Sequence, residues 1–404
     1  MHLDTHAADL IALSISKVVS CPVRNENFMK VDLQCGTDSP TALVIDVGSG
    51  ITKAGFSSDH SPSFVCRSVV GIKPIDQSRT NSAEEGLRLT RRIYDTFDVE
   101  AEKLAEPVYP IVRGQLVKAD AFESLLLHVI KNELGMKSPA ECTLSSSSGV
   151  VLDMPVLLVV SPLSSNQSRV QLLERLFDLF NPPSIALVSS SVLAVFSSGR
   201  SSGLSVEVGH GVSFVAPILN GFAIPSASFV CDHSGIDVNA TFRAAIEARL
   251  KVRIDRITAS SIKENLAIVD LNSPSAHAEV TGGTVVEIPG DLRSQAVEPF
   301  FNDSDVSLVS MCLKSLCLID PTIRSEMESA IILSGGTSLI PGFAQRLEQE
   351  LHNRGFLNAL VVADHQREHA AWVGGSMFAS LETFQQFSIS RDEFQSNQFA
   401  HKFI

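Results

Sequence analysis

The sequence predicts an α/β protein of two related halves flanking a cleft, and three observations predict it. Short buried-strand runs alternate with segments of helical period, as in sheets covered by helices. The segment Ile45-Asp46-Val47-Gly48-Ser49-Gly50 returns as Val206-Glu207-Val208-Gly209-His210-Gly211, each reading apolar, acid, Val, Gly, x, Gly. A third glycine site, Ser334-Gly335-Gly336-Thr337, follows another apolar run. The repeat implies that each half is one copy of a common unit.

The elements follow in chain order. Residues 1–40 show no clear period and read as an extension. Thr41–Val47 is a strand, Gly48-Ser49-Gly50 a tight turn, and Ile51–Phe56 the returning strand. Residues 72–106 are polar and form a variable arm, and Tyr109-Pro110-Ile111 restarts order. Asp120 reads as a helix N-cap with Glu123 three residues on; Phe122, Leu125, Leu126, Val129, Ile130 and Leu134 follow at helical spacing as far as Gly135. Val156–Val160 is a strand, and Leu172, Leu173, Leu176, Phe177 and Phe180 mark a helix stopped by Pro182-Pro183. Leu204–Val208 and Val212–Ile218 flank the second hairpin tip. Ala330–Leu333 is a strand, Phe343, Leu347 and Leu351 share a helix face, and Met377–Phe387 has helical spacing. The halves span 41–190 and 191–375, followed by a C-terminal segment, 376–404.

Composition narrows the function. A chain of 404 residues with 44% hydrophobic content can bury two medium cores. The formal charge of -13, with no basic run, argues against direct nucleic-acid binding. Seven cysteines without a CxxC pair read as reduced thiols, with Cys312 and Cys317 as helix-face hydrophobes. No apolar run is long enough to cross a bilayer, and neither a signal nor a transit peptide stands out, so cytoplasm or nucleus is expected.

The hairpins carry the chemistry. A Gly-x-Gly tip offers successive backbone N–H groups to an anion, because no Cβ blocks its approach. Ser49 adds a hydroxyl and Lys53 a point charge, while Asp46 can hold a water of a Mg²⁺ ion. Two such tips facing each other can clamp one phosphate chain. His365 and His369 are four apart, yet no HExxH pattern surrounds them, so no metal site is expected there.

The chain resembles the actin family from about Ala42 to its C-terminus. The likeness is carried by Ile45–Phe56, Tyr109-Pro110-Ile111, Gly199–Gly203, Ile262-Lys263-Glu264, Leu333–Thr337 with Pro341-Gly342, Trp372–Ser376 and Ala379–Gln386. It implies the actin-like ATPase fold, related to ribonuclease H, with ATP or ADP and Mg²⁺ or Ca²⁺ in the cleft. It puts Ser49, Gly50, Ile51 and Lys53 on the phosphates from one side, and Gly209, His210, Gly211 and Val212 from the other. Gly235 and Asp237 then lie near the ribose, and Lys263, Glu264, Gly335, Gly336 and Thr337 around the adenosine. Asp46 and Glu207 take the places of the acids that hold the metal's waters. The segment 376–404 is implied to return to the first half.

The departures from the family bear on hydrolysis. The family's glutamine beside the attacking water is replaced by Ser190, and its water-orienting histidine by Phe214. The second hairpin carries Glu207 and His210 in place of the family's acids, and Arg113 follows Tyr-Pro-Ile-Val where the family has a histidine. Loss of water-positioning groups predicts slow or absent ATP hydrolysis. The arm at 72–106 lacks the family's filament-docking pattern, and Phe300–Val306 is short for its apolar plug. Phe196, Phe378, Leu381 and Thr383 match a groove that seats a partner helix. The resemblance therefore implies an actin-related subunit of a larger assembly, chromatin-remodelling or cytoskeletal (such as dynactin). The alternative is a divergent filament-forming actin with ATP-timed assembly. A sugar kinase of the same superfamily is disfavoured by the Trp372–Gln386 tail.

Overall fold

The computed structural model describes residues 42–72, 106–137, 146–231, 233–270, 272–280, 283–399 and 402–403. The extension 1–40 and nearly all of the arm at 72–106 lie outside the described residues.

Two sheets form the frame. In the first half, β1 (Leu43–Val47) and β2 (Ile51–Phe56) make an antiparallel hairpin extended by β3 (Phe64–Arg67). Helix α1 (Ala119–Leu127) follows, then β4 (Val156–Val160), α2 (Asn166–Phe180), β5 (Ser184–Ser189) and α3 (Ser190–Ser197). Strand β4 joins β1 in parallel, and β5 joins β4 in parallel. The second half opens with the antiparallel hairpin β6 (Gly203–Val208) and β7 (Ser213–Leu219), and β8 (Phe229–Cys231) adds antiparallel to β7. Helices α4 (Gly235–Leu250), α5 (Arg256–Leu266) and α6 (Leu308–Leu318) lead to β9 (Ile331–Ser334), α7 (Phe343–Asn353), β10 (Val361–Val362) and α8 (Ala370–Ala379). Here β9 is parallel to β6, and β10 to β9. The orders β3-β2-β1-β4-β5 and β8-β7-β6-β9-β10 thus repeat in pairing and direction. A final pair, Ile389–Ser390, lies antiparallel on β5.

Strand alternation explains where the cores sit. Leu43, Ile45, Leu158 and Leu187 face α1 and α2, while Val44, Leu157, Ala186 and Val188 face the other way. That second face packs on α3 and α8, whose far side meets Phe214, Ala216 and Ile218 of β7. The two helices are therefore sandwiched between the sheets, and both sheets read as continuous apolar runs because both faces are covered. Trp372 on α8 is fully buried and donates its indole N–H to the Val44 carbonyl at 3.0 Å. The second half's outer core joins α4 to α7, with Phe300 and Phe301 turned inward against Phe343.

Several sequence expectations change. Asp120 is exposed in the first turn of α1, and Lys118 holds the cap position. The helix does not run on regularly: His128–Glu133 widens to π-helical pairing. Met377–Phe387 is split, with α8 ending at Ala379 and a short turn at Phe384–Phe387. Cys312 is buried as expected, but Cys317 is exposed. Phe196 and Phe378 do not line a groove. They pack edge to face at 5.6 Å, at 4% and 0% exposure, because each is the apolar filling between the sheets. Leu381 and Thr383 alone of that set keep partial exposure. No described helix is long and apolar enough to cross a membrane.

Candidate functional site

The two hairpin tips meet in the cleft with matching geometry. Val47 pairs with Thr52 and Val208 with Ser213, so each tip spans four residues between its last strand pair. Each is closed by one bond, Gly48 N–H to Ile51 O at 3.0 Å and Gly209 N–H to Val212 O at 3.0 Å. The tips also touch each other. A Cβ at Gly50 would lie 2.7 Å from the His210 side chain, and one at Gly211 would collide with Ser49. Glycine is required at both places by the close approach of the opposite tip.

A cavity of about 1210 Å³ opens around these tips. Its walls include Asp46, Ser49, Gly50, Ile51, Lys53, Ser190, Glu207, Gly209, His210, Gly211, Val212, Asp237, Lys263, Glu264, Gly335, Gly336 and Thr337. Nearly all the residues singled out in the sequence therefore converge. Two do not line it. Gly235 sits behind the wall, its N–H donating to Gly209 O at 3.0 Å. Phe214 is 6% exposed and belongs to the core between the sheets, although it pairs across the strands with Glu207.

Two of the cleft's acids, Asp46 and Asp237, have cationic partners inside the protein. Lys53 donates to Asp46 at 2.9 Å, an ion pair across the first hairpin. At the equivalent place in the second hairpin the partner of the acid is Phe214, which offers no charge. Glu207 instead accepts from the Ser190 hydroxyl at 2.7 Å. Burial raises the Glu207 pKa, the Ser190 hydrogen bond opposes that rise, Asp46 adds to it and Lys53 opposes it. His210 is pushed down to about 4 by burial first, then by the cations Lys263 and Arg67, with Asp237 pulling the other way. It is a neutral imidazole at physiological pH. Lys263 is buried, which lowers its pKa, while exposed Glu264 opposes the shift.

The third glycine site braces the second hairpin. Gly335 has φ +89°, and a Cβ there would strike the Val208 carbonyl, so only glycine fits. Thr337 is buried and donates its hydroxyl to Gly209 O at 3.0 Å. Asp237 is also engaged. Its Oδ2 accepts from the Ser234 N–H at 2.9 Å and hydroxyl at 2.8 Å, while Arg113 forks onto both oxygens at 2.7 and 3.1 Å. Burial works against the Asp237 carboxylate, but the Arg113 and Ser234 hydrogen bonds outweigh it and the pKa falls. Asp237 lines the cavity, where the sequence expectation sets it near a ribose, and is at the same time braced by Arg113 and Ser234. Arg113 is a functional candidate that the sequence marks only as an arginine before Gly114 at a turn.

The donor set bears on a cation. Among the described residues no three His, Cys, Asp or Glu side chains converge to hold an ion directly. Asp46 and Glu207 remain in the cleft wall as two acids, a set that fits a cation retained through its waters on a bound phosphate chain.

A model of the actin family matches residues 37–282 and 288–401. The chain belongs to the actin family. Among curated proteins, rat Actin-like protein 9 is 28% identical over 383 residues, covering 90% of this chain and 88% of that protein. Bovine Actin-like protein 9 is 28% identical over 377 residues, 88% of this chain and 85% of its own length. Centractin of Saccharomyces cerevisiae is 28% identical over 371 residues, 85% and 91% respectively. Identity at this level sets this chain as a divergent, actin-related member. The family implies nucleotide binding with a divalent cation.

Proposed function

We propose that this actin-related protein binds ATP or ADP with Mg²⁺ or Ca²⁺ and hydrolyses ATP slowly or not at all. It would serve as a subunit of a larger cytoplasmic, cytoskeletal or nuclear assembly. The observation that carries this reading is the Ser190–Glu207 hydrogen bond at 2.7 Å. A hydrolytic site needs a polar group with the reach to orient water, and here the short serine hydroxyl is spent on Glu207. Phe214 lies in the core and supplies no hydrogen bond. Ser49, Gly50, Gly211 and Val212 would hold the phosphates, with Lys53 charge-paired to Asp46 beside them. Lys263, Glu264, Gly335, Gly336 and Thr337 would close around the base. A bound cation would neutralise phosphate charge, and Asp46 and Glu207 would hold its waters. Nucleotide would then stabilise the fold through linkage.

Likeness to proteins named as actin-like and as centractin supports a partner-bound role over a conventional actin. With Phe196 and Phe378 interior, partner contact falls to surface groups such as Leu381 and Thr383. Equilibrium titration with labelled ATP, followed by single-turnover hydrolysis, tests the proposal. Micromolar or tighter binding with cleavage far slower than release is expected; fast cleavage or no binding overturns it. Co-purification from native extract tests the assembly role.

A further inference from the structure

Arg113 crosses from one half to the other, and nothing in the nucleotide reading uses it. It stands on a two-residue hairpin turn between Ile111–Val112 and Gln115–Leu116, where Val112 pairs with Gln115. Both turn residues have positive φ, 48° at Arg113 and 73° at Gly114. Such a turn favours Asn, Asp or Gly at its first position, so an arginine there is an outlier. The side chain is what the position supplies. Its guanidinium meets Asp237, on the opposite half, with Nη2–Oδ1 at 2.7 Å and Nη1–Oδ2 at 3.1 Å.

The surroundings make this pair a mechanical link. Gly114 N–H donates to Ser49 Oγ at 2.9 Å, tying the turn to the first hairpin. A Cβ at Gly114 would come within 2.8 Å of Ser161 Oγ and 3.3 Å of Val212 Cγ1, so the turn is wedged between the halves. On the far side Asp237 is fixed to Ser234 at the start of α4. The first N–H groups of that helix, from Gly235 and Ile236, donate to Gly209 O and His210 O at 3.0 and 2.7 Å. A pull on Asp237 therefore reaches the second hairpin through one helix terminus.

We propose that the Arg113–Asp237 pair is a latch that holds the cleft closed and sets how often its two hairpins separate. A forked guanidinium–carboxylate contact resists both shear and separation better than a point charge. Arg113 and Asp237 keep 49% and 26% side-chain exposure, so the latch is modest in strength and screened by salt. Salt should then loosen the cleft. The latch belongs to the chain alone and acts whether or not the ligand is ATP.

The test uses the full ligand-free chain and amide hydrogen exchange at residues 48–51 and 209–212. Arg113→Asn suits the turn, so global melting should hold or rise while the latch is lost. Exchange at both tips should quicken about three- to fivefold at low salt, the effect of losing one half-exposed pair. Raising NaCl to about 0.5 M should speed wild-type exchange and leave the variant unchanged. Arg113→Lys, which keeps charge but not the fork, should fall between them. Unchanged tip exchange and an unchanged salt response in folded Arg113→Asn would overturn the latch. So would acceleration spread evenly over the whole chain, which marks a structural role only. Nucleotide titration is not among the readouts, so failure here leaves the proposed function untouched.

Discussion

The Ser190 hydroxyl donates to Glu207 Oε2 at 2.7 Å, joining the start of α3 to the second hairpin. The serine hydroxyl is thereby taken up by the carboxylate. It also holds the carboxylate against the upward pull of burial.

Ser190→Ala removes that donor and leaves the acid short of a partner. The expected loss is about 1–3 kcal/mol, read from the urea midpoint. The loss should also depend on pH. A carboxyl whose pKa is raised by folding favours the folded state at low pH and penalises it as pH rises past the unfolded value. Removing the serine deepens the penalty, so the variant should suffer more near neutrality than in mild acid. An equal loss at both ends would show that Glu207 does not feel the serine.

The His210 imidazole gives a second pH signature with the opposite sign of charge. Its folded pKa is about 4, against about 6.5 for an unfolded histidine. Between those values the unfolded chain binds a proton that the folded chain refuses. Stability is therefore fully present above about pH 6.5 and is lost as pH falls toward 4, by about 2 kcal/mol after discounting for partial exposure. Lys263, Arg67 and Asp237 are the charged groups that bear on it. His210→Asn should flatten the dependence of the urea midpoint across this window. A slope as steep as wild type would assign it to other groups.

Adjacent glycines on α8 should behave differently. A Cβ at Gly374 would land on the Leu193 backbone carbonyl of α3, which cannot turn aside. A Cβ at Gly375 would meet Val44 Cγ1 at 3.0 Å and Leu157 Cδ2 at 3.3 Å, the free ends of side chains. Alanine gains about 1 kcal/mol over glycine in a helix. That gain nearly offsets the crowding at Gly375, so Gly375→Ala should be close to neutral. At Gly374 overpacking wins, and Gly374→Ala should lose at least about 2 kcal/mol. Chemical denaturation of the two variants side by side checks the contrast.

The sequence made the strands and the hairpin repeat legible because both rest on local rules. An apolar run between turns is a strand wherever it lies, and Gly48-Ser49-Gly50 and Gly209-His210-Gly211 have the same chemistry in isolation. What it hid was long-range. Phe196 and Phe378 look alike on a surface groove or in a core, and the sandwich of α3 and α8 between the sheets decides for the core. Asp237 reads as a ligand residue alone, and only the fold brings Arg113, 124 positions away, onto it. Phe214 is recognisable as a lost histidine, but only the packing shows that its ring turns from the cleft.

Hydrolysis offers the sharpest test of the cleft. Ser190→Gln places a longer side chain with an amide at the start of α3, on the cleft wall beside Glu207. It frees the acid from the serine and adds a group able to orient water. Single-turnover cleavage of bound ATP should rise on the order of tenfold, since positioning of this kind acts on the barrier. It should still fall well short of an efficient ATPase, because the Phe214 ring lies in the core and cannot supply a second hydrogen bond. Ser190→Ala, by contrast, should leave the slow rate where it was, because it frees Glu207 without adding a group long enough to orient water. A drop in cleavage with alanine, or no response to glutamine while ATP still binds, would remove Ser190 as the reason for the slow cleavage proposed above.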